Sequence, residues 1–262
     1  MNLTEYLRGA LMATSSPEAL GETCPNAQDW ALNCCCSSVQ IQLIVASLVY
    51  SLLIFLLWNY RVLLPLKLIV VALHEFSHAL AAWLSCGSVK GIEINADEGG
   101  KTITQGGNRI FILSAGYLGS SMWGMVLMIC AADFVGVQIA AGLLGVALLL
   151  SLVLAKSLVT VLITSFFLLL IAGFWACTIL TEFNGLRFVI LLVGVMSSLF
   201  SIYDIYADVL ARKVHESDAV VLAKLTHTSS RCWGVIWTLV SLALFGVGIY
   251  LSLVVGGGPG EK

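Results

Sequence analysis

The run VLLPLKLIVVALHEFSHALAAWL, residues 62–84, decides how the rest of the chain is read. As a helix rising about 1.5 Å per residue it is long enough to cross about 30 Å of hydrocarbon. Yet it carries His74, Glu75 and His78 near its middle. Ionisable groups at that depth are costly and usually functional.

Six further apolar runs of similar length, at about residues 39–58, 110–131, 134–155, 157–180, 186–211 and 233–255, surround this one. Backbone polar groups in lipid must be satisfied within their own segment, so each run is predicted to be a helix. Apolar residues make up 59% of the chain and charged residues only 11%, whereas about a quarter of a soluble domain is charged. A soluble enzyme, a disordered tail and a coiled coil are excluded. The 13 Lys and Arg against 15 Asp and Glu lack the basic excess of a nucleic-acid binder. The expected fold is an all-α polytopic membrane protein in the lipid bilayer, with about seven transmembrane helices and a small hairpin-like insert after the second. Residues 1–38 form a polar tail, 39–255 a single membrane-embedded domain with a soluble insert at 86–108 and a charged segment at 212–231, and 256–262 a flexible end. No removable signal peptide is expected, so the first helix would serve as its own insertion signal.

Seven alternating crossings gather Arg8, Lys90, Lys101, Arg109, Lys156, Arg212, Lys213, Lys224 and Arg231 on one face, and leave Arg61, Lys67, Arg187 and Lys262 for the other. Loops rich in Lys and Arg stay in the cytoplasm. The N-terminus is therefore expected in the cytoplasm and the C-terminus outside or in a lumen. Cys34, Cys35 and Cys36, directly before the first helix, are then candidates for palmitoylation; the alternatives are no special role and metal binding.

The residues that carry chemistry are in HEFSH, residues 74–78, an H-E-x-x-H pattern. Helical residues four apart share a face, so both imidazoles reach one ion while Glu75 projects alongside. Zinc suits His ligation and makes water acidic enough to attack a carbonyl near neutral pH. Glu75 is the candidate catalytic acid and base. With four His and nine Glu in the chain, chance yields the pattern only about 0.002 times. One Zn2+ per chain is expected, held by His74, His78 and a third ligand. Counting back from the cytoplasmic helix ends puts the His pair and Asp204 both about 12 Å deep, and Asp208 about 6 Å deep. Asp204 is the expected third ligand, with Asp208 as a neighbouring carboxylate or the alternative ligand. Ser217-Asp218 reads as a helix start.

HEFSHAL in a membrane helix, the Gly-rich insert after it, SAGYLGSSMWG in the next helix, and YDIYAD followed by SDA together resemble the site-2 protease superfamily of intramembrane zinc metallopeptidases, in its compact branch without a PDZ domain. The resemblance covers about residues 62–219. It implies zinc ligation by His74, His78 and an aspartate from the C-terminal half, with Glu75 as acid and base. It also implies a membrane protein substrate cut in or near its spanning segment. Members more often carry that aspartate before a glycine, whereas Asp204 is followed by Ile205.

The insert alternates Val89, Ile92 and Ile94, then Thr102, Ile103 and Thr104, around Asp97-Glu98-Gly99-Gly100, the pattern of a hairpin. Its Ile92 and Ile94 strand is a candidate substrate-docking edge, because an extended peptide adds to a sheet edge through its backbone; a plain connector is the other reading. Gly116, Ser120 and Gly124, and Ala115 with Gly119, form small-residue faces for close helix packing. For the molecule as a whole, the alternatives to an endopeptidase are an inactive membrane scaffold or chaperone that keeps the metal site, and a metal transporter.

Overall fold

A computed structural model describes residues 37–181, 183–205 and 217–257. Among these residues the elements are α1 (Ser38–Leu57), a short 3-10 turn (Arg61–Leu63), α2 (Leu64–Leu84), β1 (Ser88–Ile94), β2 (Gly100–Gln105), α3 (Arg109–Cys130), α4 (Phe134–Val153), α5 (Leu158–Leu180), α6 (Gly185–Ile205), α7 (Asp218–Thr226) and α8 (Ser230–Gly256). All the helices except α7 are long and apolar enough to span a membrane. The chain is thus a multi-pass, helical membrane protein with a small antiparallel sheet.

Polar residues set where the helices begin. Ser37 caps α1 in a reciprocal box with Gln40, Asn108 accepts from Ile110 N and Phe111 N, Asp133 from Gly136 N, and Ser157 from Thr160 N. Each cap satisfies amide donors that a helix start leaves unpaired. In an apolar chain, these short polar breaks divide one run from the next.

The senses of the helices follow from their pairings. Ser85 lies by Gly107, His78 Nδ1 is 2.6 Å from Ile112 O and Ser77 faces Gly119, so α2 and α3 are antiparallel. Ser201 Oγ donates to Tyr117 O at 3.0 Å and Gly194 abuts Leu127 and Met128, so α6 is also antiparallel to α3. Tyr117 packs on Trp237 and Ser121 bonds to Ser241, with Gly248 against Met125, which makes α8 parallel to α3. Finally, Ser37 Oγ donates to Gly256 O at 2.8 Å and Gln40 Nε2 to Leu253 O at 2.8 Å, while Trp58 packs on Phe200 and Tyr203. Helix α1 therefore runs in the same sense as α6, and so in the same sense as α2.

Two consecutive helices with one sense depart from the alternation on which the expected placement of the termini rests. Alternating crossings would hold Ser37 and Gly256 a bilayer apart, but they are hydrogen-bonded, so both ends of the described domain share one face. The sequence count treats every apolar run as a reversal. Here the connection from Trp58 to Leu63 turns back instead, and Trp58, Asn59, Tyr60 and Arg61 line a partly open cavity of about 1680 Å³.

The hairpin behaves in the same way. It folds back along α2, with Ile92 and Ile94 fully buried and Asn95, Ala96, Asp97, Gly100 and Lys101 exposed. Lys67, assigned above to the opposite face, is buried and pairs with Glu98 at the hairpin tip, at 2.9 Å. The outer edge of β1 is taken. Ile92 N donates to Leu154 O at 2.8 Å, Lys156 N donates to Ile92 O at 2.9 Å, and Ile94 bonds to Thr160 Oγ1 and Ser157 Oγ. The expected docking edge at Ile92 and Ile94 is thus closed by the α4–α5 connection, and the remaining edge is that of β2.

Candidate metal centre

Helix α2 puts His74, Glu75 and His78 within one turn of each other, and their ligand atoms all lie within 4.8 Å. His78 Nδ1 sits 2.6 Å from Ile112 O. A carbonyl only accepts, so Nδ1 of His78 carries a proton and its Nε2 faces His74. His74 Nε2 is 3.1 Å away. Such second partners orient the imidazoles of metal sites.

The carboxylate set against this pair is that of Asp218. Its Oδ2 is 3.2 Å from His74 Nε2 and 3.0 Å from His78 Nε2. Burial by itself would raise the Asp218 carboxyl, but the charge of His78 and hydrogen bonds from both rings outweigh it and hold the group below the ordinary carboxylate range. Asp218 opens α7, with Ser217 at the cap position. Ala219 and Leu222 bury against Tyr117, Ile205 and Trp237, which locks this short helix beside α3, α6 and α8.

Asp204, the third ligand expected from depth, lines the same cavity, and among the described residues Asp218 is a second carboxylate there, within 3.2 Å of both imidazoles. Counting depth along α6 could not reveal that a further short helix returns to the site. Asp208 lies outside the described residues, as do Cys34, Cys35 and Cys36. The signal for Asp218 was present in Ser217-Asp218, read only as a helix start.

The donor set fits zinc. Tetrahedral ligands at about 2.0–2.1 Å from a zinc ion are about 3.3 Å from one another, and the three atoms here form a triangle with sides of 3.0–3.2 Å. With both Nε2 atoms unprotonated, two imidazole nitrogens and a carboxylate oxygen face each other as acceptors that a cation satisfies. Gly116 completes the cradle: a Cβ there would land on Nε2 of both His74 and His78, so only glycine lets α3 come this close.

Glu75 is 5% exposed, and the Thr102 hydroxyl engages its Oε2 at 2.7 Å and its backbone oxygen at 2.8 Å. A Cβ on Gly100 would collide with the same carboxylate. Strand β2 therefore lies directly over Glu75. Because Ile92 and Ile94 point their backbone groups away from β2, their partners Thr102 and Gly100 point theirs away from β1, by the alternation of an antiparallel ladder. Both residues line the cavity with His74, Glu75, His78 and Asp218.

No curated protein and no solved structure matches the chain. The family model described as Peptidase M50B-like matches residues 47–248, a span that contains α2, the hairpin, α3 and Asp218. With most of its length matched, the chain belongs to the Peptidase M50B-like group of the site-2 protease family.

Proposed function

We propose that this protein is a zinc-dependent intramembrane endopeptidase that hydrolyses a peptide bond in or near a transmembrane segment of a membrane protein. The observation that carries this reading is the triangle of His74, His78 and Asp218 beside a buried Glu75, in a cavity among membrane helices. When bound, zinc polarises a carbonyl and lowers the pKa of water.

The chain's own residues do the rest. His74, His78 and Asp218 would hold the metal, with the Ile112 carbonyl fixing the His78 ring. The Thr102 hydroxyl fixes the rotation of the Glu75 carboxylate, which takes a proton from the attacking water and returns it to the leaving amine. A helical substrate hides its carbonyls in its own hydrogen bonds. The β2 edge at Gly100 and Thr102 offers an extended segment backbone partners next to Glu75. Glu75→Gln should retain zinc but slow cleavage of a membrane-anchored reporter by about 10²-fold or more. Cleavage by this variant at the wild-type rate would sink the mechanism.

For orientation, the face holding Arg109, Lys156, Lys224 and Arg231 is the more basic among the described residues, which supports a cytoplasmic position for it. Both ends of the domain then face outside or a lumen. A glycosylation acceptor fused before Ser37 and another after Gly257 should both be modified in a eukaryotic host; modification of only one would refute the shared face.

A further inference from the structure

Resting on the peptidase reading for its consequence, though not for its geometry, we infer that Lys67 is a positioning residue: it tethers the hairpin tip so that the β2 edge stays in register beside Glu75. Lys67 is 5% exposed, on a helix of membrane-spanning length, where an unpaired ammonium is costly. Its Nζ meets both carboxylate oxygens of Glu98, at 2.9 and 3.1 Å, and lies 4.6 Å from the centroid of the Trp58 ring. A cation over an indole face is favourably held.

Three elements meet at this ammonium. Glu98 belongs to the hairpin tip, Trp58 to the connection that turns back between α1 and α2, and Trp58 in turn packs on Phe200 and Tyr203 near the end of α6. Glu98 itself has φ 71, a left-handed conformation that disfavours a residue with a side chain. Such a conformation persists where its surroundings hold it, and the grip on both oxygens supplies that hold. Gly100, two residues on, touches the Glu75 carboxylate, and Thr102 donates to it. Lys67 is eight residues, a little over two turns, before Glu75 on the same helix, so the strand over the site is pinned at its hydroxyl end by Thr102 and at its tip by Lys67.

The backbone periodicity of a strand gives the tether its functional content. A docked segment pairs with Gly100 and Thr102, and a slip by one residue presents a different bond and reverses its side chains. Loss of the tether frees the tip, lets β2 shift, and spreads cleavage over neighbouring bonds.

The test uses the full chain, loaded with zinc, in lipid nanodiscs. Wild type, Lys67→Met, Lys67→Arg and the charge-reversed Lys67→Glu with Glu98→Lys are compared for zinc content, amide hydrogen exchange across residues 95–105, and the product ends formed from single-span reporter proteins. Lys67→Met should keep its zinc and its global melting temperature, yet the β2 amides that face β1, at Lys101 and Ile103, should exchange about tenfold faster or more. It should cut a reporter at several adjacent bonds where wild type cuts at one. Lys67→Arg should restore slow exchange and the single cut, and the reversed pair should recover part of both. Unchanged exchange in Lys67→Met overturns the tether. Faster exchange with the same single cut at the same rate overturns the positioning role. If wild type cuts no reporter, or cuts equally well as Glu75→Gln, the peptidase reading fails, while the exchange data still decide the tether.

Discussion

Helices α1 and α2 follow one another in the chain, run in the same sense and have similar lengths, yet they meet opposite surroundings. Only 17% of the most apolar stretch of α1 is buried, against 72% for α2. The more hydrophobic helix is the peripheral one. In lipid there is no hydrophobic gain from placing an apolar helix centrally, so position is decided by which helix carries groups that need protein partners. Helix α2 holds Lys67, His74, Glu75, Ser77 and His78, and each finds a partner: Glu98, Asp218, Thr102, Leu73 O and Ile112 O. Helix α1 holds Gln40, which binds Leu253 O, and otherwise turns Leu48, Leu52 and Phe55 outward.

That contrast breaks most sharply at Asp218. Asp218→Ala should lower the metal content of purified protein from near one zinc per chain to almost none, whereas Asp204→Ala should leave most of it; the reverse result by elemental analysis would return the third ligand to α6. Truncating one partner of a buried charged site leaves the others uncompensated, so a thermal melt of Asp218→Asn should separate metal loss from misfolding. At the other extreme, Gln40→Leu removes the buried amide of α1 that donates to Leu253 O and accepts from Ser37 N. Interhelical hydrogen bonds in membranes average about 0.6 kcal/mol, so its melting temperature should drop by a few degrees at most, with zinc unchanged. Loss of zinc in that variant would show that α1 is not peripheral to the site.

The helices were legible because length and apolarity report on lipid directly, and His74, Glu75 and His78 because their spacing lies on a single helix. What escaped the sequence depends on relations between segments. Apolarity does not reveal sense, so Asn59 to Arg61 looked like an ordinary loop at a membrane surface. Alternation predicted the hairpin from Val89, Ile92, Ile94 and Thr102, but which edge stays open depends on Leu154 and Lys156, some sixty residues away. Depth favoured Asp204 because it was measured along one helix, whereas Asp218 reaches the same place from the start of another.

The shared sense of α1 and α2 has a consequence for biogenesis. A chain threaded into the bilayer in order leaves successive spans in opposite senses, so α2 cannot reach its final position as a simple partner of α1. Its polar groups also lack their partners until Glu98, Ile112 and Asp218 have been synthesised. The span that carries His74, Glu75 and His78 therefore gains its last polar partner only when Asp218 has been made, 144 residues after His74.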